Sequence, residues 1–285
     1  MFQRIVLATD FSESSRGALR AAISLAKSCL AQIEAVHVDV TRFPTFSSHG
    51  SEWLAELKTR FDSFFPSELY PRSRKEILVG HSVTHELLNF VRSREADLIV
   101  LGCHGHSAVE HLLLGSVTQE VTRSSEVPVL VVHRFAGEES HFDRVLVPTD
   151  FSEAAMRALE YGARFANFLK ADLHYIHVAD LPALEEVHAR YLAHKIQMPE
   201  TCELNVDAVL KKTLEPVQVE GTVVVATLSG EPVREILQYS KAQQIDWVVM
   251  GTHGRKGLER ILLGSVTSGV IAHSEVPVMT ISHHS

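Results

Sequence analysis

The residues best suited to chemistry form one pattern that occurs twice. Gly102 is followed after two residues by Gly105, and after nine more by Gly115 and Ser116; Gly251, Gly254, Gly264 and Ser265 repeat the spacing. Glycine permits positive φ and close backbone approach, so successive N–H groups can converge on an anion. A helix opening at Gly115 or Gly264 presents unpaired N–H groups and a positive dipole end, and the hydroxyl of Ser116 or Ser265 adds a donor. Phosphate is the guest such a loop suits. Val117 and Val266 behind the serines, and Met250 ahead of Gly251, are counted with the two sites. The pattern is neither the lysine-bearing GxxxxGK[ST] loop nor the dinucleotide GxGxxG. The plainer alternative, glycines that merely punctuate a turn from strand to helix, stays open. A second candidate is an acid: Ala8, Thr9 and Asp10 close the first apolar run of one half, and Pro148, Thr149 and Asp150 that of the other. Such a carboxylate accepts from ribose hydroxyls, helps hold a metal–phosphate, or caps the turn into the next helix.

Elements must position these residues, and they too come in duplicate. RIVLATDFSESSRGAL at 4–19 matches RVLVPTDFSEAAMRAL at 144–159, an offset of 140, while the glycine segments 102–132 and 251–281 match at an offset of 149. The second half therefore carries about nine extra residues, which fall at 181–220. Each half alternates short β-rich runs with longer stretches of helical period, the pattern of βα units around a parallel sheet. Strands are expected at 3–8, 33–39, 74–79, 97–101 and 128–132, and at 143–148, 172–178, 221–227, 246–250 and 277–281. Ser12 with Glu13, and Ser152 with Glu153, read as the N-cap and first turn of the first helix in each half. The short polar stretch 135–143 is the linker, which places domain one at 1–137 and domain two at 138–285.

Composition narrows the function classes. A formal charge of −8 without a Lys/Arg run argues against a nucleic-acid surface. No apolar run reaches the roughly 18 residues of a membrane span, and no secretory signal is visible, so a cytoplasmic protein is expected. The three cysteines, Cys29, Cys103 and Cys202, form no CxxC pair. His104, His106 and His111, or His283 and His284, lack the companion ligands of a zinc site, and no protein-only metal site is expected. Cys103 and His104 sit in the first loop and His253 in the second; a redox thiol at Cys103 is one reading, a small buried hydrophobe the other. No nucleophile, base and orienter recur in both halves, which argues against a dedicated hydrolase.

In its TDFSE turn, its His37-Val38 and His177-Val178 pairs, its doubled glycine–serine signature and its SEVPV segments, the chain resembles tandem members of the universal stress protein family. The resemblance implies an α/β fold of two Rossmann-like, adenine nucleotide alpha hydrolase-like domains. Each would hold a five-stranded parallel sheet of order 3-2-1-4-5 with helices on both faces, and the domains would pair through their fifth strands. It implies binding of ATP, or ADP or AMP, with Mg²⁺ as companion. Asp10 and Asp150 would contact adenosine, the backbones of Val38 and Val178 the adenine, and the glycines with Ser116 and Ser265 the ribose and phosphates. The expected role is a stress-response sensor that signals to a protein partner, with a homodimer as a further option. A slow ATPase and an interaction protein with empty loops are the competing readings. Ala8 and Cys103 depart from the family's usual Pro and Ser/Thr, whereas Pro148 and Thr252 match them.

Overall fold

The computed structural model describes residues 1–40, 50–104, 114–133, 142–179, 206–253 and 263–282. The chain divides into two compact units, the first running to residue 140 and the second starting at 141. Unit one contains β1 (Arg4–Ala8), α1 (Glu13–Cys29), β2 (Gln32–Asp39), α2 (Gly50–Phe64), a short 3-10 turn (Ser67–Leu69), β3 (Ser73–Val79), α3 (Val83–Ser93), β4 (Leu98–Gly102), α4 (Ser116–Ser124) and β5 (Val129–Val132). Unit two contains β6 (Arg144–Thr149), α5 (Glu153–Leu169), β7 (Asp172–Ala179), α6 (Val206–Leu214), β8 (Val223–Ser229), α7 (Pro232–Ala242), β9 (Trp247–Gly251), α8 (Ser265–His273) and β10 (Val278–Ile281).

All strand pairings within the units are parallel. Unit one runs β3-β2-β1-β4-β5 and unit two β8-β7-β6-β9-β10, so each is a doubly wound sheet of order 3-2-1-4-5. β1 lies between β2 and β4, and the chain reverses its winding there. The carboxyl ends of β1 and β4 therefore border the crevice where open α/β sheets take their ligands. Every residue of β4 is buried, as a strand covered on both faces must be.

Small residues let the first helix of each unit lie close to its sheet: Ala18, Ala21, Ala22 and Ala26 in α1, and Ala154, Ala155, Ala158, Ala163 and Ala166 in α5, are all buried. Ser12 and Ser152 cap these helices, accepting from Ser15 N and Ala155 N at 3.2 Å. Observed strands start and stop within two residues of the expected bounds. The largest shift is in β8, which begins at Val223 and not at 221. At Gly221 the chain crosses so close to Ala171 that a Cβ would stand 2.7 Å from its carbonyl oxygen, and pairing starts only beyond. Of the extra segment in the second half, 180–205 lies outside the described residues, and its end forms α6.

Candidate functional site

The acid turn is built the same way in both units. The Thr9 hydroxyl oxygen accepts from Phe11 N at 2.9 Å, and Asp10 Oδ1 accepts from Ser12 N at 3.0 Å. In unit two the Thr149–Phe151 and Asp150–Ser152 bonds are both 3.0 Å. These bonds hold Phe11 and Phe151 at φ of 66° and 61°, a left-handed conformation that side-chain-bearing residues seldom adopt. Aromatic packing holds it too: Phe11 lies on His37 at 4.5 Å between ring centroids and meets Phe61 edge-on, and Phe151 lies on His177 at 4.8 Å. Each histidine in turn donates Nδ1–H to the carbonyl of Thr9 or Thr149, at 2.8 Å in both units. Since a carbonyl only accepts, the proton sits on Nδ1. Burial keeps His37 below the usual imidazole range. The His of the His-Val pair thus pins β2 to the end of β1, a role that spacing did not announce. Asp10 and Asp150 do act as turn caps, with their half-buried carboxyls at the crevice.

The glycines divide into two kinds. Gly102 and Gly251 close β4 and β9 beneath the first helix. A Cβ at Gly102 would stand 2.4 Å from Ser14 Oγ and 2.9 Å from the Ser14 carbonyl carbon; at Gly251 it would meet the Ala154 carbonyl carbon and oxygen at 2.8 Å. These positions need glycine because a helix backbone presses on the strand. Gly102, Gly115, Gly251 and Gly264 all have φ outside the positive range, so these four do not draw on glycine's left-handed freedom, while Gly105 and Gly254 lie outside the described residues. Gly115 and Gly264 are the N-caps of α4 and α8, with φ, ψ of −59°, 141° and −55°, 140°, and they bring no side chain to the helix start.

Two bonds tie each helix opening to its strand. Gly115 N donates to the Cys103 carbonyl at 3.0 Å and Thr118 Oγ1 to the Gly102 carbonyl at 2.8 Å; Gly264 N donates to Thr252 at 2.9 Å and Thr267 Oγ1 to Gly251 at 2.8 Å. The two ends of the motif therefore meet. Thr118 and Thr267 escaped the sequence reading, although the shared GSVT string carried the signal. Ser116 and Ser265 stand exposed on the first helical turn, with Val117 and Val266 half-buried behind them.

The remaining candidates fall into place around these two features. Ala8 ends β1 and Pro148 lies buried in β6; Met250 is buried in β9. Val38 and Val178, half-buried near the ends of β2 and β7, lie across β1 or β6 from the glycine ends. With strands about 4.8 Å apart, that separation is about 10 Å. Gly105, Gly254, His106, His111, His283 and His284 lie outside the described residues. Cys103 is fully buried and burial pushes its thiol up to about 12, which supports the small buried hydrophobe over the redox thiol. The His104 ring meets His133 edge-on at 5.2 Å, and His253 Nδ1 lies 2.8 Å from Thr252 Oγ1. Among the described residues no three His, Cys, Asp or Glu gather as metal ligands, and no helix is long and apolar enough to cross a membrane.

The chain is a duplicated, doubly wound α/β unit in which a glycine-capped helix start is tied to the end of the strand next to the one that closes in the acid turn. Sequence comparison identifies it further: the profile of the universal stress protein family matches residues 1–133 and again 141–282, and the chain belongs to that family. A universal stress protein of Methanocaldococcus jannaschii is 30% identical over 144 residues, covering 50% of this chain and 84% of its own length. One from Mycobacterium bovis is 31% identical over 195 residues, covering 66% of this chain and 62%, under two thirds, of its own. A universal stress protein structure from Archaeoglobus fulgidus superposes with a TM-score of 0.66 at 26% identity, covering 98% of both chains.

Proposed function

We propose that each unit binds an adenine nucleotide, ATP or its di- or monophosphate, along the carboxyl end of its sheet. The observation that carries this reading is the glycine-capped start of α4 and of α8. It is tied to the end of β4 or β9, its glycine N-cap makes no side-chain cap hydrogen bond, and the neighbouring strand, β1 or β6, ends in the acid turn. Backbone N–H groups at a helix start and the hydroxyl of Ser116 or Ser265 suit phosphate. Asp10 or Asp150 takes the ribose, and the backbone of Val38 or Val178, about 10 Å away across the central strand, takes the base. Mg²⁺ accompanies the nucleotide through its phosphate oxygens, a hard oxygen set that needs no protein cage.

On this reading the protein is a cytoplasmic stress-response sensor. Its two domains, 1–137 and 138–285, pair through β5 and β10 as an internal pseudo-dimer and report nucleotide occupancy to a protein partner. Calorimetric titration with MgATP tests the binding. Two nucleotides per chain are expected, and Gly115→Val or Gly264→Val removes one while the altered unit stays folded. Unchanged stoichiometry in either variant refutes the assignment for that unit. Release of ADP above background during the titration would replace the sensor with a slow ATPase.

A further inference from the structure

The two units match at the acid turn but differ in the helix turn that follows. In unit one Ser15 Oγ donates to Asp10 Oδ1 at 2.7 Å, so that this oxygen accepts from both Ser15 Oγ and Ser12 N. Ser14 Oγ accepts from His104 N, two residues beyond the end of β4 at Gly102, and donates to the Val132 carbonyl, both at 3.4 Å. One helix turn thus contacts the acid and the glycine loop together. The counterparts in unit two are Ala154 and Ala155, whose methyl groups neither donate nor accept. Position 155 contributes its backbone N–H to Ser152 Oγ, as Ser15 does to Ser12, but adds nothing to Asp150.

Both differences act in the same direction. A carboxylate oxygen that already accepts a hydroxyl proton is a weaker acceptor for a ribose hydroxyl. A loop N–H aimed at Ser14 Oγ is aimed away from a phosphate. We propose that Ser14 and Ser15 are affinity-setting residues that make unit one the weaker adenine-nucleotide site. Unit two then fills first, and the chain responds to nucleotide over two concentration ranges. The inference rests on the nucleotide reading given above and assigns the residues that grade it.

The test is titration of MgATP into chains with one site closed, Gly264→Val isolating unit one and Gly115→Val isolating unit two. The isolated second unit binds more tightly. Ser14→Ala and Ser15→Ala in the first each tighten Kd by about fivefold, the equivalent of one net hydrogen bond. Ala154→Ser with Ala155→Ser weakens the second unit correspondingly. Unit two folds with alanine at both positions, and thermal melts of each variant verify that the altered units remain folded. If ATP binds and removing the two hydroxyls leaves Kd unchanged or raises it, this inference is overturned while the nucleotide reading stands. If neither isolated unit binds ATP, both fall.

Discussion

Replacing Gly251 by alanine separates the two jobs a motif glycine can have. A Cβ there would stand 2.8 Å from the carbonyl carbon and oxygen of Ala154 and 2.9 Å from its Cβ. Comfortable contact is about 3.5–4.0 Å, so α5 or β9 must retreat by roughly 1 Å. The obstructing atoms are mostly helix backbone, which has no rotamer to escape into, and α5 is the 17-residue helix packed along this strand. Overpacking of this kind costs about 1–3 kcal/mol. For a unit of this size that lowers the melting midpoint by roughly 3–9 °C. Trp247, fully buried in the same strand, reports the transition by fluorescence in a Trp53→Phe chain. The expected result is a destabilised unit two. An unchanged midpoint would refute the packing argument, and if MgATP binding fell at the same time, Gly251 would be serving ligand approach and not helix contact.

Two further outcomes follow from the titratable groups. In a folded Cys202→Ser chain at pH 8, Cys103 resists thiol-reactive dye until the chain unfolds, because burial pushes its thiol up to about 12; rapid labelling mapped to Cys103 by mass spectrometry would contradict this. His174 lies 3.0 Å from the Tyr239 hydroxyl, and burial, with a lesser push from Arg144, holds it below the usual imidazole range. Its folded pKa is below its unfolded value of about 6.5, so its contribution is complete above that pH and is lost as pH falls beneath it. The denaturant midpoint read at Trp247 is therefore expected to drop between pH 7.5 and 5.5, and His174→Gln to flatten that drop. An equal drop in the variant refutes the role of His174.

Duplication, strand positions and the glycine–serine signature were legible in the residues alone. They rest on local periodicity, capping chemistry and repeated strings, all written in neighbouring positions. Gly115, Ser116, Gly264 and Ser265 stand at helix starts, as their spacing predicted. The roles of other residues depend on partners far along the chain. Whether Gly102 serves a ligand or a helix depends on Ser14, and only folding brings that residue against it. His37 reads as half of a family dipeptide until Thr9 supplies the carbonyl that fixes its proton. Thr118 bridges back to Gly102 across the loop, and Phe11 takes a left-handed turn that no propensity favours because two hydrogen bonds and an aromatic cluster enforce it. The sequence by itself determined that this protein is a doubled βα fold with two matching glycine–serine signatures. Only the tertiary structure decided which motif residues line the crevice and which hold it together, because that division is made by contacts between segments that the chain order keeps apart.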